Sequence, residues 1–207
     1  EFQGVYLPYW TFDSQTETDF EGQYGKDRRV KNAKGETRTV TDWYKCAGHH
    51  SEFIDDELVF GSTKHNSYML SNIEPFNTAD NKVYTPEYLA GFSAERYTVP
   101  IEQAWEKAQE SIKQDLKSNI SKGIVKDHHA DHSKVDQMNV MFQAVTYKYL
   151  LLPVWFSSFN YNGKIFQFVV NGQTGKVSGK SPVSPWKVLI AILIALAIIS
   201  LVFILFF

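Results

Sequence analysis

The sequence predicts an α+β fold: antiparallel β-sheet lobes, one long amphipathic helix, and a C-terminal transmembrane helix. Three observations predict it. Ile101, Ala104, Trp105, Ala108, Ile112, Leu116 and Ile120 recur at steps of three and four, the period of a helix with one apolar face. Strand-like runs separated by turn residues follow between 135 and 177. The last twenty residues, 188–207, carry no charge. The implied organisation is a β-rich lobe over 1–98, a helix-plus-meander lobe over 99–181, a linker over 182–187 and a transmembrane helix over 188–207.

The elements follow in order. Residues 5–13 are extended, because Pro8 drives Leu7 away from the helical region. Gly22, Gly25 and Gly35 read as punctuation. Residues 36–46 are rich in threonine and aromatics, as strands are, and a turn is expected near Gly48 before a second apolar piece, Leu58–Phe60. Residues 66–91 read as irregular or helical, with a helix start at Thr85-Pro86-Glu87. The long helix is expected over 100–122, ended by Gly123, and a polar loop over 126–134. Two meander turns are expected, one at Asn162-Gly163 and one at Asn171-Gly172 with Thr174-Gly175. Two short strings echo one another: Leu7-Pro8-Tyr9-Trp10 with Leu152-Pro153-Val154-Trp155, and Gly22–Lys26 with Gly172–Lys176.

At 1.5 Å rise per residue, a helix from Val188 to Phe207 would be about 30 Å long, the thickness of a bilayer core. Pro182 and Pro185 stop what precedes it, Trp186 suits the interface, and Lys187 suits the headgroups. Ala191 and Ala195 are spaced for close helix packing. Lys176, Lys180 and Lys187 place the preceding domain on the cytoplasmic side.

The chain has 21 Lys+Arg against 23 Asp+Glu, a formal charge of −2, which excludes a broad basic field for nucleic acid. Aromatic residues make up 15%, enough to build a core and exclude global disorder. With Cys46 the lone cysteine, neither an intramolecular disulfide nor a zinc module needing several cysteines can form, and a lone thiol agrees with a reducing compartment. The phosphate-loop, dinucleotide and serine-hydrolase glycine motifs are absent. The histidines fall as His49-His50, His65, and His128-His129-x-Asp131-His132. His128, His129 and His132 are metal-ligand candidates if helical spacing brings them together, and otherwise belong to a solvated loop. Asp55-Asp56-Glu57 is an acid–base candidate only if buried, and Cys46 a nucleophile only with a neighbouring base.

Four strings in order along the chain carry a resemblance: Leu7–Asp13, Tyr88–Phe92 with Glu95 and Tyr97, Leu151–Trp155, and Val170–Val177. Together they resemble a bacterial membrane protein family that begins with a TFIIB-type zinc ribbon and is often labelled primosomal or replication-restart helicase-like. The resemblance implies zinc only in a ribbon upstream of these residues and no cofactor within them. It further implies partnership with SPFH-domain, flotillin-like proteins in membrane stress. The final meander also resembles PepSY or cystatin-like domains. The expectation is therefore a membrane-anchored, non-enzymatic adaptor at the bacterial plasma membrane. Its partners would be the bilayer and other membrane-associated proteins, in a hetero- or homo-oligomer, with neither nucleic acid nor a small-molecule substrate. The alternative is a metal-dependent hydrolase using the histidine loops.

Overall fold

The computed structural model describes residues 2–31, 36–182 and 185–206. Three strands dominate it: β1 (Phe2–Lys31), β2 (Thr37–Phe60) and β4 (His132–Tyr161), of 30, 24 and 30 residues. Around them lie α1 (Ser67–Ser71), β3 (Ser93–Ala94), α2 (Ile101–His128), β5 (Lys164–Asn171), β6 (Val177–Gly179) and α3 (Pro185–Phe206). The expected class, α+β with a membrane helix, is corrected: among the described residues antiparallel strand predominates, 51% against 26% helical.

The strands are long because expected turn residues lie inside them. β1 pairs with β2 in one antiparallel ladder from Tyr9↔Phe60 to Lys31↔Thr37, with a bulge in the pairing between Phe12 and Ser14, so Gly22, Gly25 and Gly48 are strand residues. Glycine at 22 and 48 answers close approach. A Cβ at Gly22 would collide with the Lys134 carbonyl of β4, and one at Gly48 would lie 2.8 Å from the Phe20 ring. Gly123 does not end α2 either. A mid-helix glycine costs about 1 kcal/mol, but Ile120 and Ile124 are both buried beside it, so packing carries the helix on to His128. The loop expected over 126–134 shrinks accordingly.

The chain divides into two compact units. The larger comprises Tyr6–His65 and Asn77–Leu152. In it β1 is flanked by β2 and β4, and β3 pairs with β1. Its core lies between the sheet and α2: Ala104, Ala108, Ile112 and Leu116 meet Trp10, Phe12 and Val59, while Ile120 and Ile124 meet Val135 with Phe20, Tyr24 and Cys46 alongside. Trp10, Phe12, Phe20 and Tyr24 of β1 therefore face α2, along with Cys46 and Ile54 of β2.

The smaller unit comprises residues 1–5, Asn66–Phe76 and Pro153–Phe207. Here the end of β4 pairs with β5 from Val154↔Asn171 to Tyr161↔Lys164, closed by Asn162-Gly163 with φ of +51° and +74°, and β5 pairs with β6. The positive pair of angles is that of a two-residue hairpin turn that asparagine and glycine favour. Buried Asn171 organises this unit. Its amide donates to the Ile73 carbonyl at 2.9 Å, and its Oδ1 accepts from the Gln173 and Thr174 amides.

The first sequence echo has a structural counterpart in each unit. Both Leu-Pro-x-Trp strings lie in strands, and each proline carbonyl accepts a glycine amide at 2.8 Å, Pro8 from Gly61 and Pro153 from Gly172. The second echo has none: Gly22 lies within β1, and Gly172 in a turn.

The C-terminal span is corrected as well. Among the described residues no helix is long and apolar enough to cross a membrane. A span needs about 20 consecutive apolar residues. Within α3 the side chains of Val188 and Ala191 lie outside the described set, as do those of 201–206. Phe207 lies outside the described residues. Trp186, Lys187 and Ala195 are exposed.

Candidate functional site

In the larger unit, the end of β2 and the segment entering α2 are tied by one carboxylate. Glu95 follows β3, and its side chain is only 11% exposed. Ser62 Oγ donates to Glu95 Oε1, His65 Nε2 lies 2.8 Å from Oε2, and Lys64 Nζ lies 3.6 Å away. Burial pushes this carboxyl up, but the Ser62 and His65 hydrogen bonds with the His65 and Lys64 charges outweigh it and hold it below 4.5. Backbone bonds brace the same place: Thr98 and Val99 amides donate to the Gly61 carbonyl, and the Glu95 amide to Tyr6.

Ser, His and Glu here do not form a nucleophilic triad. The carboxylate stands between serine and histidine, whereas activation needs the imidazole on the hydroxyl. A carboxylate held below its ordinary pKa is also a weak base. The arrangement is a clamp.

The clamp positions an aromatic terrace. Trp10 is nearly buried, its indole nitrogen donating to the Val99 carbonyl at 3.0 Å. Around it stand Tyr97 at 5.3 Å, Tyr149 at 5.1 Å and Tyr147 at 6.3 Å between ring centroids, and Tyr97 meets Tyr149 edge-on at 5.7 Å. These tyrosines remain 51%, 41% and 59% exposed. Their side arises at Ala144, whose φ of +50° interrupts the alternation of β4. Before it Val140 and Phe142 pack under α2; beyond it Tyr147 and Tyr149 continue the row past the end of the helix. Burial raises the Tyr149 phenol against a hydrogen bond with the Tyr97 backbone that lowers it, while the Tyr97 and Glu95 charges add to the rise.

The residues singled out in the sequence fall elsewhere. His128 stacks on Tyr24, with ring centroids 4.1 Å apart. His129 caps α2 in the left-handed region, and His132 pairs with Asp27 at 3.2 Å. His49 lies between Asp19 and Glu17 at 2.8 Å from each, and these bonds, Asp19's first, raise its pKa. His50 pairs with Glu52. Burial raises the Cys46 thiol, aided by the charge of Asp136, which is the reverse of what a nucleophile needs. Among the described residues the metal-capable group is Asp13, Asp55 and Asp56, and it contains no histidine. Lys148 Nζ already lies 2.7 Å from the Asp56 carboxylate and 3.5 Å from that of Asp13, and the Asp56 backbone amide and the Thr146 hydroxyl donate to Asp13. This acid cluster pins the β1 bulge to β4.

Sequence reasoning missed the clamp and the terrace. Glu95 lies 33 residues from Ser62 and 30 from His65 along the chain, and no local spacing marks the three as a group. Glu95 and Tyr97 entered only within a string of resemblance.

No family model matches the sequence, and no solved structure matches it. The chain is similar to the uncharacterized protein YdjG of Bacillus subtilis (strain 168), 30% identical over 198 residues. The match covers 89% of this chain and 53% of that protein, so the chain spans about half the length of its curated relative.

Proposed function

We propose that this chain is a non-enzymatic interaction domain, an adaptor within a protein complex, and that the Trp10 terrace is its docking surface. The observation that supports this reading is the exposure of Tyr97, Tyr147 and Tyr149 around a buried, hydrogen-bonded tryptophan. Tyrosine offers a large apolar face with a polar tip and few rotamers to freeze, which is why it is enriched where proteins bind proteins. The Glu95 clamp supports it further by holding the backbone on both sides of Tyr97, so little ordering remains to be done on binding. The resemblance to the zinc-ribbon family adds an SPFH-domain, flotillin-like protein as the partner.

The test is binding of the purified chain to such a protein from the same cell. The wild-type chain binds, and the double substitution Tyr147→Ser/Tyr149→Ser weakens binding by about tenfold or more, the scale of an interface hot spot. Circular dichroism should be unchanged. Binding that ignores this substitution would remove the terrace from the reading.

A further inference from the structure

The geometry points to a second surface: we infer that β2 is a homodimerisation edge, pairing antiparallel with β2 of a second copy about a two-fold axis through Gly48. β2 is the terminal strand of its sheet, with β1 on one side and no described strand on the other. Over Asp42–Ile54 it is regular, and its register with β1 runs unbroken. That stretch has no proline, no bulge and a single lysine, so few of the usual devices blunt this free edge. Every second residue there turns its backbone N–H and C=O away from β1, the template that strand addition uses.

The occupant follows from symmetry. A two-fold axis perpendicular to the sheet keeps each face on its own side, so paired residues must share a face and their numbers must sum to an even value. β2 exposes two large apolar side chains on the face away from α2, Trp43 and Phe53, at 38% and 59% exposure. They stand five residues on either side of Gly48. Pairing about Gly48 therefore sets Trp43 against Phe53 of the other copy, twice. It also sets Tyr44 against Glu52, Lys45 against Ser51 and Cys46 against His50, with no like charges opposed. Neighbouring registers are worse. Shifting the sum down by two opposes Asp42 to Glu52, and shifting it up by two opposes Trp43 to Asp55. Thirteen residues at 3.4 Å make a strip about 44 Å long. With a sheet about 10 Å thick this gives roughly 900 Å² in total, below the size of stable interfaces, so the dimer is a weak, reversible one.

Sedimentation equilibrium of the full chain between about 1 and 100 μM tests it. The wild type should show a monomer–dimer equilibrium. Trp43→Glu and Phe53→Lys should each weaken it by about tenfold, because each lost cross-strand pair counts twice. The double variant should recover it, since the new charges are opposite across both pairs. Trp43→Glu also leaves the nearby Lys134, now 4.0 Å over the indole, an acidic neighbour. A nitroxide at Ala47→Cys in a Cys46→Ser background should report a short intermolecular distance. A monomer throughout, or a dimer indifferent to the single variants, or one the double variant fails to recover, would overturn the inference. Binding at the Tyr147–Tyr149 terrace is measured separately and should survive all three variants, so either idea can fail alone.

Discussion

His129 closes α2 with φ of +48° and ψ of +49°, and the next amide, of Ala130, reaches back to the Val125 carbonyl at 3.0 Å. This is the helix end at which glycine is favoured, because a Cβ strains the left-handed region. His129 is exposed and loses no packing when replaced. His129→Gly is therefore expected to raise stability by about 1 kcal/mol in urea denaturation. The buried threonines of β1 behave differently from one another. Thr16 donates to the Glu52 carbonyl at 2.7 Å, whereas the Thr18 hydroxyl is fully buried with no partner. An unsatisfied buried hydroxyl is destabilising, and valine keeps the shape. Thr18→Val should stabilise by about 1 kcal/mol, and Thr16→Val should destabilise, by the same measurement.

At the scale of the element, α2 shows how packing overrides local preference. Its apolar positions are legible in the sequence at steps of three and four, and Ala104, Ala108, Ile112, Leu116 and Ile120 are all buried. Its end is not legible, because the burial of Ile124 that carries it past Gly123 depends on Val135 and Met138 of β4. Leu116 is fully buried, so Leu116→Ala should cost about 2–5 kcal/mol, read from the urea midpoint. The long strands are harder to read for a related reason. A glycine in a strand and a glycine in a turn look alike until the facing ring or carbonyl is known, as with Phe20 over Gly48 and Lys134 over Gly22. The two-residue turn at Asn162-Gly163 was legible because its φ values are a local requirement.

Across the whole molecule, carboxylates set the response to acid. Glu17 is held below its ordinary 4.5 by hydrogen bonds from His49 and Ser51, and Asp27 below 3.8 by Thr41. Hydrogen bonds from His50 and Asn119 lower Glu52 against its partial burial, and Ser62 and His65 do the same for Glu95. A lowered folded pKa means stability that is complete above the ordinary value and lost as pH falls through the folded one. Glu57 works in the opposite sense: burial raises its carboxyl above 4.5, with Asp115 adding to the effect, so its charged form weighs against folding at neutral pH. The urea midpoint is therefore expected to fall below about pH 4.5, with Glu95→Gln flattening that fall and Glu57→Gln stabilising at pH 7 but not at pH 4. By itself the sequence determined the helical face of α2, the hairpin turn at Asn162-Gly163, the Leu-Pro-x-Trp echo and a composition able to build a core, because each depends on neighbours within a turn or two of chain. Only the tertiary structure decided that β1, β2 and β4 extend to 24–30 residues, that Glu95 gathers Ser62 and His65, and that Tyr97, Tyr147 and Tyr149 surround Trp10. The clamp and the terrace join residues from 30 to well over 100 positions apart, and that proximity comes from sheet register, which no short-range period encodes.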